Sequence, residues 1–174
     1  MIIRVENIYS IPSNAVRNIE KISENFLLIN IWIKPETFEL ASRALYGLYY
    51  FDDIPPMEIG FDFETGLLKE FTIFVHSSNI CWQKLMDIPL VEMSGYPSAD
   101  LGFARKHQYY YDEVCNLEMY CCNQEFWFFL QDHVPFKKIG VNKDISILLD
   151  SENCFIGAVI QNLSQDELNL LVSE

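Results

Sequence analysis

The 174 residues carry 25 acidic against 12 basic side chains, a net charge of −13, and half of them are hydrophobic. A chain of that size and apolar content buries one core without staples, which excludes disorder, while its negative charge repels nucleic-acid phosphates and anionic membranes. Five cysteines, at 81, 115, 121, 122 and 154, are odd in number and lack a Cys-x-x-Cys spacing, so neither a disulfide framework nor a thiolate zinc site is expected.

In MIIRVENIYSIPSN (1–14), Arg4 and Glu6 sit where a signal peptide needs its apolar run, so the protein is expected in the cytoplasm. Residues 13–25 read as a first helix. Ser13 caps it after Pro12, and Val16, Ile19 and Ile22 recur at helical spacing. FLLINIWIK (26–34) reads as a strand apolar on both faces, interior to a sheet, with Trp32 buried. Such runs are strand-length and too short to span a bilayer. Pro35 opens a second predicted helix, with Glu36 and Glu39 in its first turn and Arg43 later, the order favoured by the helix dipole. Phe38, Ala41, Leu45 and Leu48 form its apolar stripe, and FDDIPP (51–56) ends it.

MEIGFDFETGLLKEFTIFV (57–75) alternates with the period of a β-hairpin. Met57, Ile59, Phe61 and Phe63 supply a core face, and the other side carries Glu58, Asp62 and Glu64 with no positive charge among them. A solvated strand face and a docking surface for a basic protein are the two readings of that side. Asp62 and Glu64 alone offer too few oxygens for a calcium loop, and nothing beside them suggests a glycosidase pair. Residues 77–113 are punctuated by Pro89, Gly95, Pro97 and Gly102, and only a helical turn near 80–86 is predicted. Within them, HQYYYDE (107–113) offers Tyr109, Tyr110, Tyr111 and Asp112 as a second contact region, because interfaces favour rigid amphipathic tyrosine. Packing of two of the three rings in a strand is the plainer alternative.

EVCNLEMYCCNQEFWFFLQD (113–132) reads as a second hairpin turning at Asn123-Gln124. ISILLD (145–150) and CFIGAVIQNL (154–163) flank the turn SEN as a third. Ser164 and Glu167 then make a capping box, Leu163 and Leu168 a hydrophobic staple, and a helix follows from about 165 to 172. The resulting expectation is one α+β domain over 1–174, a mainly antiparallel sheet built from hairpins with helices packed mostly on one face.

Phosphate-binding loops, the dinucleotide fingerprint and the Gly-x-Ser-x-Gly elbow are absent. Asp132-His133 and Cys121-Cys122 are the pairs on which an enzyme would rest, but neighbours on an extended chain point in opposite directions. No catalytic, cofactor or metal residue is assigned. IGFDFETGLLKEFTIFV and ISILLDSENCFIGAVIQNLSQDELNLL, with a strand ending in Asp-x-x-Thr-Gly and a closing hairpin, Asn-Leu-Ser and short helix, resemble bacterial immunity proteins. Those proteins are encoded beside polymorphic or contact-dependent growth inhibition toxins. The resemblance implies a cytosolic, cofactor-free, non-enzymatic protein that binds the carboxy-terminal domain of one cognate toxin, often a basic nuclease, and occludes its active site or an adjoining surface. It transfers no binding residue onto this chain. The alternatives are a small enzyme using Asp132, His133 or the cysteines, and a structural or regulatory module that self-associates through EFWFFL (125–130).

Overall fold

Alternation with a period of two, rather than the helical period, governs nearly the whole chain. The structure, a computed structural model, describes residues 3–41, 44–51, 54–83, 88–102 and 110–172. In chain order the strands are β1 (Val5–Tyr9), β2 (Ser13–Lys21), β3 (Phe26–Pro35), β4 (Ala44–Phe51), β5 (Ile54–Asp62), β6 (Leu68–His76), β7 (Ile80–Cys81) and β8 (Val91–Ser94). They continue with β9 (Tyr96–Ala99), β10 (Tyr110–Val114), β11 (Leu117–Cys122), β12 (Glu125–Leu130), β13 (Lys137–Gly140), β14 (Ile145–Leu149) and β15 (Phe155–Ile160), and helix α1 (Gln165–Leu171) follows.

Six strands form one sheet in the order β10-β4-β5-β6-β3-β2, and seven form another in the order β7-β11-β12-β15-β14-β13-β8. Pairing is antiparallel except for β10–β4, β7–β11 and β13–β8. The inward faces meet in one core, where Phe71 of β6 and Phe128 of β12 touch edge to face at 6.1 Å. The expected α+β class is thereby corrected to an all-β sandwich. Among the described residues α1 is the one α-helix traced along its length, and it contacts edge strand β2.

The first predicted amino-terminal helix is a strand over Ser13–Lys21, and the second divides into irregular chain at 36–41 and a strand at Ala44–Phe51. Residues 13–21 pair along their whole length with β3, from Ser13 opposite Pro35 to Lys21 opposite Leu27. Of the three apolar residues at helical spacing only Ile19 is buried; Val16 and Ile22 face solvent. Nine ladder positions against an apolar strand outweigh the helical spacing of three side chains. Pro35 closes β3 instead of opening a helix, Phe38 is exposed, and residues 44–51 pair with β5. Of the turn predicted near 80–86, Ile80–Cys81 form β7 after a 3-10 turn at Ser77–Asn79, and residues 84–86 lie outside the described ones.

The three predicted hairpins form. β5 and β6 make the first, β11 and β12 the second and β14 and β15 the third. Asn123 (φ 52°) and Gln124 (φ 64°) both take positive φ, the backbone that a two-residue turn needs to match strand twist. A ribbon of β1 and β9 then ties the sheets together. On one side Ala99 donates to the Gly66 carbonyl in the β5–β6 turn; on the other Val5 donates to the Asn153 carbonyl in the β14–β15 turn. The buried Tyr96 hydroxyl donates to the Leu68 carbonyl at 2.7 Å, and burial pushes its pKa up.

The capping box of α1 is present in full, with Ser164 Oγ accepting from the Glu167 amide and Glu167 Oε2 accepting from the Ser164 amide. The same Glu167 carboxylate takes two bonds from Arg17, at 2.6 and 2.8 Å, while Arg17 also donates to the carbonyls of Gln161 and Asn162. One guanidinium therefore fastens α1 to β2. Ser164→Ala is expected to cost about 0.5–2 kcal/mol in urea unfolding at pH 7. A change below about 0.3 kcal/mol would mean that Arg17 alone holds Glu167 and the cap adds nothing.

Candidate protein-docking face

The two outward faces of the sandwich differ. On the seven-stranded sheet the side chains satisfy one another. Lys138 Nζ lies 5.1 Å from the Trp127 ring centre, Trp127 Nε1 donates to Glu125, Tyr120 stacks on Phe129, and Ser146 donates to Gln161, which donates to Glu125. The outward face of the six-stranded sheet also carries paired side chains, but among the described residues it leaves one large aromatic, that of Trp32, open to solvent.

That face is built by parity. Along β3, Leu27, Ile29, Ile31 and Ile33 point into the core, at most 2% exposed, so Asn30, Trp32 and Lys34 point out. Trp32 is 44% exposed, which corrects its expected burial: the strand is interior to its sheet, yet only one of its faces is covered. Register then sets the rows across the sheet. One runs Tyr46, Gly60, Glu70, Trp32, Val16; the next runs Leu48, Glu58, Thr72, Asn30, Asn18. Tyr46 Oη donates to Glu70 Oε1 at 2.7 Å, and Thr72 donates to Asn30 at 2.9 Å. With Glu20 on β2, the face presents three carboxylates, of which Glu70 stands directly beside the exposed indole. Its Lys34 is already engaged with Glu39 at 2.7 Å.

The predicted contact residues divide. Glu58 is half-buried on this face. Asp62 is corrected from surface to interior: it is 1% exposed, and its carboxylate accepts from the amides of Ala41, Glu64 and Thr65 and from the Thr65 hydroxyl. Burial pushes its pKa up, but those four donors outweigh burial and hold it below the usual carboxylate value. Glu64 is exposed in the turn beyond it, so the two carboxylates do not share a face. Tyr109 lies outside the described residues. Tyr110, Tyr111 and Asp112 belong to β10, the edge strand beside β4, and Asp112 stands at the register position opposite Leu48, hence in the row of Glu58. The fold thus brings β10 and Glu58 into one sheet with a single strand between them. Trp32, expected in the core, and Glu70 and Tyr46 were not among the contact residues expected from sequence. The shared parity of Asn30, Trp32 and Lys34 is the signal that pointed to an outward side.

Asp132 and His133 occupy the turn after β12. His133 Nδ1 is 3.6 Å from Asp150, Asp132 is exposed, and with Cys115 they line a cleft of about 50 Å³, too small for a substrate of any size. Cys121 points into the core, where burial raises its thiol to about 11, and Cys122 lies on the outward side. All five cysteines are unbridged. Among the described residues, no three His, Cys, Asp or Glu side chains come together as a metal-binding group, and no helix is long and apolar enough to cross a membrane. Set against known proteins, the chain matches no family model and no curated protein sequence.

Proposed function

We propose that the protein is a cytosolic, non-enzymatic inhibitor that docks a basic protein domain on the outward face of its six-stranded sheet, in the manner of an immunity protein neutralising a cognate toxin. The single observation that carries this reading is Trp32, an indole left 44% exposed directly beside Glu70, on a sheet face that also carries Glu20 and Glu58. Exposed aromatics ringed by one sign of charge combine a desolvating anchor with long-range attraction for the opposite sign. The net charge of −13 extends that attraction over the whole molecule.

The test is binding kinetics with the toxin domain that this reading expects to be encoded beside the gene, by surface plasmon resonance at two ionic strengths. Electrostatic encounter is screened over a Debye length of about 8 Å at physiological salt, so association should slow as salt rises. Glu20→Lys combined with Glu58→Lys should lower the association rate about tenfold and flatten its salt dependence, with the melting temperature little changed. His133→Ala and Cys122→Ser should leave neutralisation intact. An association rate untouched by the double charge reversal at both salts would remove this face from the mechanism. Lost neutralisation in a well-folded His133→Ala would instead indicate catalysis.

A further inference from the structure

We infer that the docking face anchors an arginine side chain of its partner between Trp32 and Glu70, an inference that rests on the protein-docking reading above. The two residues are direct cross-strand partners on β3 and β6, and both point outward. Val16, directly opposite Trp32 on β2 and 65% exposed, gives the indole an apolar flank that no side chain covers among the described residues. Glu70 is held in place by Tyr46, whose hydroxyl donates to Oε1. Between those two lies Gly60, where a Cβ would stand only 2.9 Å from Glu70 Cγ and 3.0 Å from Tyr46 Cε1, so the absence of a side chain lets them close over the strand. The carboxylate is therefore oriented before any partner arrives, and Oε2 is left as the further acceptor.

An indole face beside a fixed carboxylate suits a guanidinium better than an ammonium. The planar group lies flat on the ring and still directs an N–H fork sideways to a carboxylate, while an ammonium is a compact, strongly hydrated charge that makes one of these contacts at a time. The orientation of Glu70 by Tyr46 also removes part of the ordering cost of the contact.

The test uses two peptides of equal charge, acetyl-tetraarginine amide and acetyl-tetralysine amide, titrated into the whole chain and followed by the Trp32 indole N–H resonance. The arginine peptide is expected to shift that resonance saturably and to bind at least about threefold tighter than the lysine peptide. Glu70→Gln should abolish the difference between the peptides, and Glu92→Gln, at an exposed position on the other sheet, should preserve it, with both variants melting as the unaltered chain does. Equal shifts by the two peptides, or an arginine preference that survives Glu70→Gln, overturn the arginine anchor and leave the docking reading standing. No shift anywhere on this face overturns both.

Discussion

Asp62→Ala is expected to destabilise the protein by about 3 kcal/mol or more in urea unfolding at pH 7. The carboxylate sits at the end of β5, 1% exposed, and serves as acceptor for three backbone amides and one hydroxyl; the Thr65 amide and hydroxyl approach to 2.8 and 2.7 Å. Truncation leaves those donors without a partner in a turn that also supports the β1–β9 ribbon through Gly66. Each unsatisfied buried donor costs about 1–3 kcal/mol, and water entering the gap recovers only part of it. Asp62→Lys, harmless if the residue were one of a solvated row, should be at least as damaging. The sign of the pH dependence follows from the same contacts. The folded-state pKa is lowered, so the contribution is complete above the unfolded value of 3.8 and is lost as pH falls through the lower folded value. Urea melts at pH 7 and pH 3 should therefore show a larger loss for the unaltered chain than for Asp62→Asn. A destabilisation under about 1 kcal/mol at pH 7 would mean that the turn holds without its acceptor.

Gly157→Ala is expected to cost about 3 kcal/mol, close to the effect of emptying a core position. Gly157 lies opposite Phe129 at one end of the β12–β15 ladder, between two interior strands of its sheet. A Cβ there would lie 2.1 Å from the Phe128 carbonyl oxygen and 2.6 Å from Phe129 Cα. Those are backbone atoms, so no rotamer change relieves the overlap; the two strands must part, and the seven-stranded sheet weakens between them. Gly140→Ala is the control. Its new methyl group would meet nothing nearer than the Met93 carbonyl oxygen at 3.6 Å, an ordinary contact, and should alter stability by less than about 1 kcal/mol. Equal effects at the two glycines would contradict the close approach of β12 and β15.

The contrast between these sites and the legible parts of the chain is one of range. The hairpin turn at Asn123-Gln124 and the Ser164–Glu167 capping box were readable because each signal lies within four residues of its partner. β2 was not, because its strand state depends on nine pairings with β3, while its own Val16, Ile19 and Ile22 mimic a helical stripe. β10 was harder still: it pairs in parallel with β4, about sixty residues earlier, and no local pattern announces that neighbour. Asp62 followed the alternation of its strand by sequence, but the Thr-Gly turn that gave the hairpin away is the same turn whose amides draw the carboxylate inside. The proposed docking face was half legible. Glu58 kept its outward position, whereas Trp32, Glu70 and Tyr46 come from three strands whose shared row is set only by register.

Docking on that row is tested most directly by hydroxyl-radical footprinting of the free chain and of its complex with the cognate basic domain. Trp32 and Tyr46 should lose most of their oxidation in the complex, whereas Trp82, comparably exposed at 45% but placed after β7 at the edge of the other sheet, should be oxidised as in the free chain. Oxidation of Trp32 unchanged by the partner, with protection appearing instead at Trp82 or around His133, would contradict it.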